Sequence, residues 1–261
     1  MKSLSIAATG MLAQQLNVEV ISNNIANMNT TGFKRQRAEF QDLLYQNLER
    51  MGAQTSDAGN ILPTGIQIGA GVKAGSVYRI SDQGNVVATQ NKFDLAIQGA
   101  GFFRIQLPGG VDGYTRAGNF SLSPEGQIVT SDGYVVAPGI TIPNGATDVS
   151  ISKAGQVQAT IAGQTTPQIV GQLELSTFNN EAGLEAIGDN NYLETAASGT
   201  ATTGTPSQPG FGTVLQGYVE TSNVNPVAEI TALISAQRAY EMNAKVITAS
   251  DEILQTTSNL R

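Results

Sequence analysis

The chain of 261 residues contains no cysteine, no histidine and no tryptophan. Without cysteine there is no disulfide framework, whatever the redox state of the compartment. Without Cys or His, zinc, haem and thiol chemistry lose their usual ligands and nucleophiles. An enzyme made from this chain would have to work with carboxylates, lysine, tyrosine or serine alone. Charge is also scarce: Asp, Glu, Lys and Arg make up 13% of residues, and the balance is −7. Nucleic acid is bound by clustered Lys and Arg that neutralise phosphates, so this balance argues against it as a partner. The basic cluster Lys34-Arg35-Gln36-Arg37 reads as a solvated patch or a subunit contact. Long apolar runs are missing: no stretch approaches the roughly 20 residues needed to span a bilayer. Near the start, Ser5, Thr9, Gly10, Gln14 and Gln15 interrupt the apolar residues, and no small-residue cleavage site follows. Export, if it occurs, is expected to proceed without removal of a leader.

What the chain does have is concentrated at its two ends. From Ser3 to Phe33 the sole charged residue is Glu19. Leu4, Met11, Val18 and Ile25 recur every seven residues, and Ala7, Gln14, Ile21 and Met28 run three positions behind them. This is an a/d seam over four heptads, and it predicts a helix over 3–28. Ile6, Ala13, Leu16 and Val20 fall nearly opposite, giving a second apolar face and so a second contact surface. At the far end Leu233, Tyr240, Ile247 and Leu254 form one seven-residue series, with Ala232, Ala239, Val246, Ile253 and Leu260 beside it. Asn225-Pro226 supplies a cap and a first helical residue, which predicts a helix from 226 to about 258.

Between the ends the pattern is that of β-structure. Residues 33–50 fit a short helix or an extended arm, and 51–71 is a Gly- and Pro-punctuated loop. Residues 72–195 carry short alternating runs, such as Phe93–Ile97 and Phe103–Leu107. Turn signals stand at Gly109-Gly110, Asp112-Gly113, Pro124-Glu125-Gly126, Asp132-Gly133 and Asn144-Gly145. Together these suit hairpins and meanders. Residues 196–213 have low complexity and read as a surface loop, and a strand resumes over 214–222. Asp112, Glu125 and Asp132 read as turn residues rather than as a catalytic carboxylate pair. Gly69-Ala70-Gly71 and Gly99-Ala100-Gly101 lack the third glycine and the following helix of a phosphate-binding loop. No catalytic, cofactor or metal site is predicted.

Three blocks carry a family resemblance. The first is Ile21-Ser22-Asn23-Asn24-Ile25-Ala26-Asn27-Met28-Asn29-Thr30-Thr31-Gly32-Phe33-Lys34. The second is Phe93-Asp94-Leu95-Ala96-Ile97-Gln98-Gly99-Ala100-Gly101-Phe102-Phe103, followed by Tyr114-Thr115-Arg116-Ala117-Gly118-Asn119-Phe120. The third is Gly217-Tyr218-Val219-Glu220-Thr221-Ser222-Asn223-Val224-Asn225, continuing through Ala236–Glu241. They resemble the bacterial flagellar rod and hook axial proteins over nearly the whole chain. The start, the length and Phe40–Gln46 resemble the distal part of the rod in particular. Two mild departures are Met28, where Val is usual, and Pro226, which many relatives lack.

The resemblance implies an α+β fold, with long N- and C-terminal helices packed as a coiled-coil-like pair and an all-β central domain. The expected division is a helical inner-tube domain (1–32 with 224–261), a connecting arm (33–71, including an extended loop at 46–65) and a β domain (72–223). It implies a helical homopolymer in the flagellar basal body that serves as a rigid, hollow drive shaft and export channel. The implied partners are proximal rod proteins below, hook or hook-rod junction proteins above, the surrounding L and P ring proteins and the type III export apparatus. The expected polymerisation interface comprises Leu4, Met11, Val18, Ile21, Ile25, Met28, Leu233, Tyr240, Ile247 and Leu254. Asn23, Asn24, Asn27, Thr31, Gly32 and Phe33 form the signature. The alternatives are a hook or proximal rod subunit and, from another class, a peptidoglycan-binding or glycan-cleaving module.

Overall fold

The computed structural model describes residues 2–49, 51, 64–163 and 166–259. The fold is α+β: two helices at the termini enclose a largely β sequence. The chain forms two compact units. One comprises Met1–Ile25, Gln36–Tyr78 and Asn225–Arg261, and the other Ala26–Arg35 and Arg79–Val224. The expected arm therefore groups mainly with the helices, and the end of the first signature groups with the β unit.

Helix α1 spans Lys2–Ala26, two residues short of the predicted end. Its C-terminal turns run through Asn27 and Thr30, whose carbonyls accept from the Thr30 and Phe33 amides at 3.2 and 3.3 Å. Gly32, at φ +71°, then reverses the chain. Helix α2 spans Pro226–Asn259. Asn225 caps it as expected: its Oδ1 accepts from the amides of Val227 and Ala228 at 3.1 and 3.3 Å. At a rise of about 1.5 Å per residue, α2 runs roughly 50 Å.

The stretch after α1, where helix and arm were both open, is extended. Strand Gln36–Asp42 pairs with Val72–Arg79, and Tyr45–Glu49 pairs with Ile66–Gly69. Residues 50 and 52–63 of the expected 46–65 loop lie outside the described residues.

The β unit is organised around strand Phe102–Gln106. It pairs antiparallel with Asp112–Thr115, Val135–Val136 and Leu175–Thr177, within a nine-stranded sheet. Phe103, Ile105, Phe120, Ile128 and Leu175 are the centre of its core, with the Phe103 and Phe120 rings edge to face at 5.1 Å. Strand Leu95–Gln98 pairs with Thr213–Gln216 and is fully buried at Leu95, Ala96 and Ile97. The expected alternation at 93–97 is thus overridden, because this strand has protein on both faces.

Two turn expectations are corrected. Asp112-Gly113 opens a strand instead of making a turn, and the Asp112 carboxylate accepts from Arg104 at 3.3 Å. A Cβ on Gly113 would meet Leu107 at 2.8 Å, so this glycine serves packing. The low-complexity stretch 196–213 is more than a surface loop. Thr202–Gly204 forms a strand on Leu175–Thr177, Ser198 is buried, and Phe211 packs against the core. Its Thr and Gly composition hid a strand with few apolar anchors. By contrast Gly126, Gly133 and Gly145 hold positive φ in the turns expected for them.

Gly118 provides a test of this packing. Its carbonyl accepts from the Leu95 amide at 2.9 Å, and a Cβ there would land on the Leu95 carbonyl oxygen. Gly118→Ala is expected to destabilise the β unit by about 1–3 kcal/mol, as overpacking does. Urea denaturation of the full chain followed by tyrosine fluorescence measures this, and an unchanged midpoint would contradict it.

Candidate functional site

The helix pair is antiparallel. Ser3 Oγ accepts from Ser250 Oγ at 3.5 Å, Gly10 lies against Asn243, and Asn24 Nδ2 donates to the Glu229 carboxylate at 3.1 Å. Seven residues along one helix correspond to seven residues back along the other, and fourteen to fourteen. A Cβ on Gly10 would sit 2.9 Å from the side-chain Nδ2 of Asn243, so the glycine leaves room for that side chain. These three contacts inside the subunit use small and polar residues one position away from the apolar seam. That series was missed because hydrophobic period alone was read. The signal lay in Ser3, Gly10 and Asn24, which are themselves spaced in heptads.

The apolar residues predicted for the interface differ in exposure. Leu4, Met11, Val18 and Ile25 are half-buried, Ile21 is buried, and Met28 is exposed just beyond α1. Leu233, Ile247 and Leu254 are half-buried and Tyr240 is exposed. Val18 and Tyr240 line an open groove of about 350 Å³ with Gln15, Glu19, Gln237 and Glu241. Leu260 lies outside the described residues. Further apolar side chains that were not singled out stand in solvent: Leu12 is 67% exposed and Val227 74%, with Ile230, Ile234 and Met242 also open. The second apolar face of α1 has a different fate. Ala13 and Val20 are buried, and Thr9 Oγ1 accepts from the Val72 amide at 3.4 Å. The returning strand of the same chain covers part of this face, so it is not wholly a second subunit contact.

The signature residues gather elsewhere. Asn24 is buried and exchanges two hydrogen bonds with the Gln36 backbone, each at 2.8 Å, besides its bond to Glu229. Asn27 Oδ1 accepts from the Thr30 hydroxyl at 3.1 Å, and the Thr31 carbonyl accepts from Asn190 at 2.8 Å. Phe33 is buried, whereas Asn23 is exposed on the last turn of α1. A Cβ on Gly32 would come within 2.7 Å of the Ala117 amide nitrogen, so no larger residue fits.

Within the β unit all three sequence blocks meet at Glu220, which is 1% exposed. One carboxylate oxygen accepts from Lys34 Nζ at 2.6 Å and from the Gly84 amide at 2.9 Å. The other accepts from Arg116 Nε at 2.7 Å. Arg116 also donates to the carbonyls of Gly101 and Gly99 at 2.9 and 2.6 Å. The Gly99-Ala100-Gly101 turn is thus a clasp for a guanidinium. Lys34, 5% exposed, is a buried partner rather than part of a solvated patch, and it also donates to the Asp82 carbonyl at 2.9 Å. The correction has a simple cause: sequence shows neighbouring charges along the chain but not a carboxylate 186 residues away.

Burial alone pushes the Glu220 carboxyl up, but Arg116 and Lys34 outweigh it and hold the group below its ordinary 4.5. Burial, and then the Arg116 charge, pull the Lys34 ammonium below 10.5 in spite of Glu220. Glu220→Gln leaves two buried cations without their counter-charge and is expected to cost about 3–5 kcal/mol. The linkage has a definite sign. Below 4.5 the unfolded carboxylate takes a proton before the folded one does. The stability due to Glu220 is therefore complete above that pH and is lost as pH falls through the lower folded value. Acid titration of thermal stability should show a component in the natural chain that Glu220→Gln lacks, and parallel acid profiles would contradict it.

The three blocks correspond to three family models. Residues 4–34 match the flagella basal body rod protein model, 96–159 the flagellar hook protein FlgE/F/G D1 domain, and 215–260 the flagellar basal body rod FlgEFG protein C-terminal model. Among whole proteins, the flagellar basal-body rod protein FlgG of Caulobacter vibrioides is 66% identical, with all of both chains covered. FlgG of Agrobacterium fabrum is 51% identical, over 99% of this chain and 98% of its own. The rod protein FlgF of Caulobacter vibrioides is 35% identical, over 96% of this chain and 94% of its own. With whole-length similarity of this kind and three motif blocks folded onto one buried carboxylate, the chain belongs to the flagellar basal-body rod and hook axial protein family, whose members are structural proteins rather than enzymes.

Proposed function

We propose that this chain is the subunit of the distal rod of the flagellar basal body and polymerises into a stiff, hollow shaft. The observation that carries this reading is the apolar surface left open on the terminal helices at Leu12, Val227, Ile230, Ile234 and Met242. A patch of this kind on a structural subunit marks a protein contact. An interface between unlike patches whose rotation does not close gives an open helical filament. Residues Leu4, Met11, Val18, Ile21, Ile25, Met28, Leu233, Tyr240, Ile247 and Leu254 complete the contact as neighbouring helix pairs interlock in coiled-coil fashion. In this arrangement residues 1–32 and 224–261 line the inner tube, 72–223 form the outer β domain, and 33–71 brace adjacent subunits. The exposed Leu44, Tyr45, Leu48 and Ile66 support the bracing role.

The greater identity to FlgG than to FlgF favours the distal rod over other axial positions. The shaft runs from proximal rod proteins below to hook or junction proteins above, inside the L and P rings. It crosses the periplasm and outer membrane, and its subunits arrive through the type III export apparatus. Before docking, the terminal helices are disordered. Helix nucleation is costly and tertiary packing supplies most helical stability, so ordering awaits burial against other copies.

Two measurements test this. Amides of residues 3–28 should exchange freely in the soluble subunit and become protected in tubes, whereas strong protection before assembly would refute coupled folding. Val18→Asp or Ile247→Asp should abolish tubes in electron micrographs and leave the β-unit melting temperature unchanged, because an unpaired buried charge is costly only in the assembled contact. Normal tubes from both variants would refute the interface.

A further inference from the structure

The chain passes between its two units four times, at 25/26, 35/36, 78/79 and 224/225. Such passages transmit bending or twist without slack only if each is fastened close to the border. On the β-unit side three of the passages are fastened to one another. The Arg35 amide donates to Asn223 Oδ1 at 2.7 Å, and the Ile80 amide donates to the Arg35 carbonyl at 2.8 Å. Asn223 Nδ2 donates to the carbonyls of Ile80 and Asp82 at 3.0 and 2.9 Å. Glu220 closes the set: its carbonyl accepts from the Gly32 amide at 2.8 Å, and its carboxylate holds Lys34 and the Gly84 amide. Through Arg116 the same carboxylate is tied to the Gly99 and Gly101 carbonyls beside the core strands.

We infer that Glu220 and Asn223 are positioning residues that clamp the crossing segments 26–35, 79–85 and 220–224 onto the β unit, and that this clamp, beyond the arm at 46–65, sets the stiffness of each subunit. Arg35 and Asn223 lie within two residues of a passage. Charge-assisted bonds from a buried carboxylate to two cations are short and costly to open. A matching tie stands in the helical unit, where Asn24 binds the Gln36 backbone twice and Glu229 once. The effect on stiffness rests on the distal-rod reading, whereas the clamp itself does not.

Hydrogen exchange on the full soluble chain tests the clamp. In Glu220→Gln and in Asn223→Ala, the Gly32, Ile80 and Gly84 amides should lose about tenfold or more in protection, while the core amides of Leu95 and Ala137 keep theirs. Unchanged protection at 32, 80 and 84 in Asn223→Ala would overturn the clamp. So would loss there only in step with the core. Should Glu220→Gln fail to fold, Asn223→Ala decides alone, since it removes no buried charge. Stiffness is read from the persistence length of assembled tubes in electron micrographs. Asn223→Ala tubes with the arm intact should bend more than natural ones, and equal persistence lengths would overturn the mechanical role. Failure of the natural chain to form any tube would refute the polymer reading, and with it the mechanical role, but the exchange comparison would still decide the clamp.

Discussion

One carboxylate, that of Glu220, holds the β unit to the segments that lead out of it. It is buried, it faces two cations, and both of its oxygens accept hydrogen bonds, one from Lys34 and the Gly84 amide and the other from Arg116. Burying three charges is expensive, and a hydrophobic cluster of the same volume could have been as stable. What the charges provide that an apolar cluster would not is direction. A guanidinium with two backbone carbonyls and an ammonium with one can be satisfied in a single arrangement, so segments far apart in sequence are fixed in angle as well as in distance.

Much of this was legible in the chain itself. Heptad spacing and the Asn225-Pro226 pair located both helices to within two residues, because a long amphipathic period and a cap are local signals. The turns at Gly126, Gly133 and Gly145 were equally local. The errors came from non-local causes. Asp112-Gly113 reads as a turn until its strand neighbours are known. Lys34 reads as solvated until Glu220 is brought to it. Thr202–Gly204 reads as loop because its strand is held by a partner rather than by its own apolar residues.

The helix faces show a division of labour that apolar pattern alone does not reveal. Among the residues that contact each other within the subunit are Ser3, Gly10 and Asn24 against Ser250, Asn243 and Glu229. The larger apolar side chains beside them are half-buried or open. A pair of helices that used its best hydrophobic residues internally would have little left to offer a neighbour. Here three rungs of the internal seam are small or polar, and Leu12, Val227, Ile230, Ile234 and Met242 remain open.

The rung formed by Asn24 and Glu229 has one more consequence. Heptads are degenerate, and two apolar stripes slide past each other by seven residues at small cost. Sliding this pair by one heptad so that Asn24 faces Ala236 would carry Glu229 past the end of α1, and sliding it the other way would carry Asn24 past the start of α2, so either slip breaks the bond between them. The rung stands where α1 ends and α2 begins, at the roots of both helices. Alignment is therefore decided there first and can propagate outward to the free ends like a zip fastened at its base, so that every copy presents its outer stripe in the same phase.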